Sequence, residues 1–188
     1  MTKTYYIKNM VCERCIKVLR TELEKEEIQI KAIALGRLQI VTNAKTQQLI
    51  ERIARENGFE LMKNPLEQLV EQTKIALIQY VRDLETSSES RNRSAFLSQK
   101  LHRDYSKISR TFSRLEGLTI EKYFINLKIE RVKELIQLGQ YNFTEIADKL
   151  DYSNVNHLSS QFKAETGMNL SNYKALKNKT RKPYDRIA

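Results

Sequence analysis

Cys12 and Cys15 are the two cysteines of this 188-residue chain, separated by Glu13 and Arg14. A thiolate is both a nucleophile and a soft-metal ligand, and a helix N-terminus or a nearby cation lowers its pKa. Arg14 and Lys17 stand beside the pair, so the spacing predicts reactive, metal-ready thiols. Two thiolates suit two-coordinate Cu(I) or another soft cation and leave a structural zinc site half empty. His102 and His157 lie in the other half of the chain and are not expected to complete the set. The second kind of chemistry is electrostatic. Thirty-three Lys and Arg against 23 Asp and Glu give a net charge of +10, which suits a polyanionic partner. The excess peaks where Lys174, Lys177, Lys179, Arg181, Lys182 and Arg186 are opposed by Asp185 alone. Paired carboxylates, a Ser/His/Asp set and a Gly-rich phosphate loop are not visible, so the reading is of a protein that is not an enzyme.

The elements that must position these groups follow from composition and periodicity. Forty per cent apolar and 30% charged residues are the proportions of a chain that buries a core. Five Gly and two Pro among long runs of Leu, Ile, Glu, Lys and Arg favour helix. No apolar run approaches about 18 residues, so no membrane span is expected. No apolar stretch of leader length opens the chain, which points to the cytoplasm and to reduced cysteines. Residues 4–8 read as a strand, and 13–26 as a helix with Ile16, Val18, Leu19 and Leu23 at helical spacing. Strands at 28–34 and 37–42 join at Gly36, a residue that turns cheaply. A helix over 45–56 with Leu49, Ile50 and Ile53 inward ends at Asn57-Gly58, before a short strand at 59–62. The order βαββαβ over residues 1–64 is that of a ferredoxin-like α+β sandwich.

Pro65 opens a long helix to Leu84. Leu66, Val70, Thr73, Leu77, Tyr80 and Leu84 step by four and three, a heptad seam that serves either packing on the same chain or a coiled-coil homodimer. Residues 86–93 are a polar linker without periodicity, so 65–93 lead into a helical domain over 94–178, followed by a basic tail at 179–188.

That helical half repeats itself. Asp104-Tyr105-Ser106 recurs as Asp151-Tyr152-Ser153, each after a Lys-Leu pair. Phe112, Gly117, Ile120 and Tyr123 recur at identical spacing as Phe162, Gly167, Leu170 and Tyr173, and Ser109 and Ser159 each precede the Phe by three. Each copy reads as a short helix, a turn and a second helix ending at the Gly, which acts as a C-cap. In the second copy Thr144 is the expected cap of the short helix, with Ile146, Ala147 and Leu150 inward. The four aromatic residues are expected in the core. Two helices crossing through a tight turn in a basic chain form a helix-turn-helix, whose second helix enters the DNA major groove. A joining helix over about 119–138 spans roughly 30 Å, near the one-turn DNA repeat of about 34 Å. The fold class is thus a βαββαβ sandwich followed by an all-α double helix-turn-helix domain.

Residues from about Leu66 to Lys177 resemble the DNA-binding domain of AraC/XylS-family transcription regulators. The matching residues are 97–101, Asp104-Tyr105-Ser106, Phe112, Gly117, the run 123–135, Thr144 to Ala147, Leu150, Tyr152-Ser153, Phe162-Lys163, Gly167 and Tyr173. The resemblance implies double-stranded DNA as the partner. It puts Ser106, Ser109 and Arg110 on the base-reading face of the first unit, with Lys107 and Arg114 near phosphates. A guanidinium bridges guanine O6 and N7, so Arg110 is the expected base reader. In the second unit it puts Asn154, Val155, Asn156, Ser159 and Ser160 on the DNA face, beside Gln161. Arg is frequent in the family where Ser160 stands, so adenine readout by Asn156 or positional phosphate contact is expected instead.

The run Met10-Val11-Cys12-Glu13-Arg14-Cys15 after a strand resembles the metal loop of heavy-metal-associated domains. That resemblance implies Cu(I) or another soft cation on Cys12 and Cys15, with Met10 packed beneath, although Asn9 stands where the family has Gly. Metal sensing, thiol redox sensing and a partner-contact role with idle thiols all remain open at this point. The expected function is a DNA-binding regulator responsive to a soft metal or thiol state. A metal carrier or thiol redox protein whose helical half docks a partner is the alternative.

Overall fold

A computed structural model describes residues 2–41, 44–86 and 92–187. Thr42, the last residue of the expected third strand, and the middle of the expected polar linker lie outside them. The chain divides into two compact units, Met1–Ile75 and Ala76–Ala188, each treated by itself.

The first unit runs β1 (Thr2–Lys8), α1 (Glu13–Lys25), β2 (Ile30–Ala34), β3 (Arg37–Val41), α2 (Ala44–Glu56), β4 (Glu60–Met62) and the start of α3 (Pro65–Leu84). The sheet order is β2-β3-β1-β4, with every neighbouring pair antiparallel. Period-two alternation buries Tyr5 and Ile7 of β1 with Leu38 and Ile40 of β3, in one cluster with Leu19 and Leu23 of α1 and Ile50 and Ile53 of α2. Two strands start later than the apolar pattern suggests, for one reason. Ile28 and Phe59 are apolar but close the preceding helices: their N–H groups donate to Leu23 O at 3.0 Å and Ala54 O at 2.8 Å. Glu27 and Gly58, both left-handed, make those returns.

α3 departs from a coiled-coil seam. Val70, Glu71, Thr73, Tyr80 and Val81 are buried together with every residue from Ile75 to Ile78, so the chain itself covers more than one stripe of this helix. Its first half belongs to the first unit: Gln68 Nε2 donates to Met62 O at 2.9 Å, and Glu71 Oε1 accepts from Asn9 N at 3.0 Å.

The second unit continues α3 and adds α4 (Arg93–Leu101), α5 (Tyr105–Glu116), α6 (Ile120–Leu138), α7 (Phe143–Lys149), α8 (Val155–Thr166), α9 (Leu170–Ala175) and a short 3-10 turn at Tyr184–Arg186. The repeat is visible in the packing. Phe112 lies edge-on to Tyr123 at 5.4 Å and 67°, and Phe162 to Tyr173 at 5.5 Å and 65°. All four are buried, as expected, and Gly117 and Gly167 are left-handed C-caps. The cap of α7 is Asn142 rather than Thr144. Its side chain accepts from Glu145 N at 3.0 Å while Glu145 Oε2 accepts from Asn142 N at 2.7 Å, a reciprocal pair that Thr144 has no place in.

The expected basic tail is an ordered strap. Lys182 N donates to Glu130 Oε2 at 2.8 Å, Tyr184 OH to Glu134 Oε2 at 3.1 Å, and Arg181 pairs with Glu134 at 3.1 Å. Ile187 is buried at its end. The acids of α6 thus consume part of the charge that composition assigns to a free tail.

α6 also buries a cation, Lys128. Its Nζ lies 3.6 Å from the Tyr152 ring centroid and donates to Asp151 O at 3.4 Å. Burial pulls the ammonium down to about 8, against the opposing attraction of Asp151. From about pH 8 to the ordinary lysine range near 10.4, the unfolded chain therefore holds a proton that the folded one has lost. Stability contributed by this group rises with pH across that window, by no more than roughly 3 kcal/mol. Urea unfolding at a series of pH values should show the rise in the wild type and a smaller one in Lys128→Met. Parallel curves would mean the ammonium is not desolvated.

Candidate nucleic-acid interface

The second helix of each helix-turn-helix is framed by the same devices at an offset of 50 residues. Asp104 caps α5 and Asn154 caps α8; Gly117 and Gly167 end them; Thr119 and Asn169 cap the helices that follow. Within α5, Ile108 and Phe112 face the core, and within α8, Leu158 and Phe162 do. What remains outward is the candidate interface.

On α5 the exposed polar residues are Ser106, Lys107, Arg110 and Arg114, with Ser109 half-buried beside them. Lys107, Arg110 and Arg114 line one shallow groove with Thr111, so three fixed cations share a strip about two turns long. Arg110 is folded along its own helix, with Nε donating to Ser106 O at 3.3 Å and Nη2 to Ser106 Oγ at 3.5 Å. Ser106 itself is committed locally. Its hydroxyl and its N–H both donate to the Asp104 carboxylate. The Ser106 hydroxyl, then the Lys107 and Ser106 N–H groups, hold that carboxylate below its usual range. Ser106 is thus first a support for the start of α5.

On α8, Asn156 and Ser160 are exposed, and Val155 and Ser159 half-buried. Asn154 is exposed but its Oδ1 is used in capping, accepting from His157 N at 2.9 Å. The positions equivalent to Lys107, Arg110 and Arg114 are His157, Ser160 and Ala164, so this face carries no fixed cation at the matched places. His157, which the sequence pattern did not single out for DNA, is exposed and held: Ser153 Oγ lies 3.2 Å from Nδ1, and the Tyr152 ring meets the imidazole edge-on at 5.4 Å.

The turns are not matched by the Asp-Tyr-Ser repeat. His102 and Asp151 are the left-handed residues, at φ 51° and 52°. The next N–H groups close the turns in the same way, Arg103 N to Ser98 O at 3.2 Å and Tyr152 N to Ala147 O at 2.9 Å. Asp151 therefore corresponds to His102 and Tyr152 to Arg103. Ser153 is one residue more than the first turn contains. The signal that finds this is the constant 50-residue offset of the caps, not the tripeptide.

In the first unit Cys12 caps α1 and the two sulfurs lie 3.2 Å apart, with Cys15 Sγ 3.9 Å from Asn9 O. Met10 is fully buried, in the core cluster against which Cys15 packs. Burial, followed by the hydrogen bond from Cys12, pushes the Cys15 thiol up, which reverses the expectation of a lowered value. Arg14 and Lys17 are exposed and do not offset the burial. Among the described residues no group of three or more His, Cys, Asp or Glu is placed to hold a metal. The donor set is two thiols, which fits a soft two-coordinate cation and not a four-ligand zinc site.

Residues 97–175 match the protein family described as Helix-turn-helix domain. No curated protein matches the chain. Among solved structures, the C-terminal domain of AraT, a response regulator from Geobacillus stearothermophilus, is similar at 19% identity and TM-score 0.48, covering 59% of this chain and 87% of that one. An AraC-type DNA-binding domain-containing regulator from Chromobacterium violaceum is similar at 15% identity and TM-score 0.47, covering 56% and 95%. The DNA-binding domain of AdpA, a global transcriptional factor seen with a target DNA, gives 17% identity and TM-score 0.47 over 60% and 92%. At such identities the contact residues have to be argued from this chain's own surface. What that surface and the family match agree on is that residues 97–175 are a helix-turn-helix domain.

Proposed function

We propose that this protein is a sequence-specific, AraC-type transcription regulator that binds double-stranded DNA through α5 and α8, with the first unit responding to a soft metal or to thiol state. The observation that carries the DNA reading is the pair of equally framed, outward helices, one of them bearing Lys107, Arg110 and Arg114 in a single strip. Cations so placed displace counterions from phosphates, and a guanidinium among them reads guanine. On α8, Asn156 is the adenine reader and Ser159 and Ser160 are positional contacts. The two close, half-buried thiols support the sensing role. Cu(I) bound there would take both sulfurs as thiolates and supply a fixed link between the N-cap of α1 and its first turn.

The test is selection of genomic DNA fragments by the purified protein, beside a Cys12→Ser/Cys15→Ser variant, with and without Cu(I). Enrichment of a defined site is expected from both proteins, with a Cu(I) effect in the wild type alone. A site enriched identically under all conditions would end the sensing role and leave the regulator. No enrichment, together with stoichiometric Cu(I) transfer to a chelator, would make the protein a carrier.

A further inference from the structure

We propose that His157 is the phosphate contact of the second helix-turn-helix, standing where Lys107 stands in the first. The inference rests on the DNA reading above. Its ground is geometric: His157 stands at the 50-residue equivalent of Lys107, equally exposed, three residues past the cap of an equally framed helix. Lysine there reaches a phosphate as a mobile point charge. Imidazole is shorter and needs its ring aimed, and the structure supplies the aim. Ser153 Oγ lies 3.2 Å from Nδ1 and Tyr152 packs edge-on, so Nε2 is the ring nitrogen that Ser153 does not take. Ser153 is the residue by which this turn exceeds the first. Tyr152 is fixed in turn by its hydroxyl, which donates to Gln161 Oε1 at 2.8 Å.

Two of the three protonation states of an imidazole, the Nε2–H tautomer and the imidazolium, donate from Nε2. Phosphate oxygens accept from either, and only the imidazolium adds a charge that displaces a counterion. With Ser160 and Ala164 at the other matched positions, His157 is the one of the three whose side chain is able to carry a positive charge. The charged groups sharing its cleft are Arg93 of α4, Glu121 and Lys128 of α6 and Asp151 of the turn. They are two of each sign. The phenols lining the cleft are Tyr80, Tyr105 and Tyr152.

The experiment measures affinity by fluorescence anisotropy for a duplex carrying the site enriched in the selection and for its single-base variants, at fixed pH over a series of salt concentrations. His157→Ala should weaken binding about 3-fold to 10-fold on all of these duplexes alike, because a phosphate contact carries no sequence information. His157→Lys should restore affinity, with a slope of log affinity against log salt steeper than that of His157→Ala by about 0.9, one phosphate neutralised. Ser153→Ala should weaken binding in the same uniform way with His157 still present. Circular dichroism of each variant checks that helix content is retained. Unchanged affinity in His157→Ala overturns the proposal. So does an unchanged salt slope in His157→Lys with a new base preference at one position, which would make His157 a base reader. Absence of selective binding by the wild type at every salt concentration would instead remove the DNA reading beneath it.

Discussion

Replacing Lys107, Arg110 and Arg114 together by Ala is expected to lower affinity for the selected DNA site at least about 100-fold near 0.1 M salt. It should also cut the salt slope by roughly 1.8, or about 0.9 for each of the two phosphates that Lys107 and Arg114 no longer neutralise. The three side chains share one groove on the outward face of α5 while Ile108 and Phe112 hold the opposite face in the core. Their removal therefore takes charge from the interface without touching the packing. Arg110→Ala alone separates readout from attraction. Its guanidinium leans on Ser106 O in the free protein and must swing out to bridge a guanine, a contact worth about 1 to 3 kcal/mol of discrimination. That variant should lose preference at one base pair by about 10-fold, with a smaller change in slope than the triple variant. Anisotropy titrations at several salt concentrations, on the selected site and its single-base variants, read both quantities. An unaltered slope in the triple variant would mean that the α5 strip does not meet the DNA backbone.

Phe112→Ala is expected to cost about 3 to 5 kcal/mol of folding stability. The ring is fully buried and its edge-on partner Tyr123 would face a void, forfeiting a further aromatic term of about 0.5 to 1.5 kcal/mol. Against a whole-domain stability of about 5 to 15 kcal/mol, such a loss removes a large part of the margin that keeps the first helix-turn-helix folded. Phe162→Ala should behave alike through Tyr173. Amide exchange assigns the damage: protection at Leu97 and Ile108 should fall most in the first variant, and at Ile146 and Leu158 in the second. Unfolding midpoints shifted by less than about 1 kcal/mol equivalent would show that the core closes around the missing ring.

The features most legible in the sequence are those fixed by local chemistry. Helix ends were readable where one residue type has few other uses, as with Gly117, Gly167 and Pro65. The strand and helix order of the first unit follows its apolar periodicity, apart from Ile28 and Phe59, which are apolar because they pack and yet belong to helix ends. Capping by Asn142 over Thr144 is a choice between two good caps that only Glu145, three residues on from Asn142, decides. The candidate interface was legible on α5, where charge and spacing coincide, and less so on α8, where the polar groups are neutral. His157 had no sequence signal beyond its offset. The tripeptide Asp-Tyr-Ser misled because identical letters serve a cap and first turn in one copy and a left-handed turn in the other. Buried charge was the least legible of all. Lys128 and Glu130 look like solvated helix residues until Tyr152 and the Lys182 amide are brought to them by residues far along the chain.

The distance from N-cap to closing Gly is the same in both copies, Asp104 to Gly117 and Asn154 to Gly167, and the single extra residue lies outside that interval. α5 and α8 are thus interchangeable cassettes, set in sockets of equal length. On the proposed DNA reading, exchange of the outward letters 107, 110 and 114 against 157, 160 and 164 would move contacts from one half to the other while both caps and both closing glycines stay in place. A duplicated gene segment built this way can evolve new binding sites by copying one half's vocabulary into the other. The extra serine preceding α8 stays behind in such an exchange, as the mark of which socket is which.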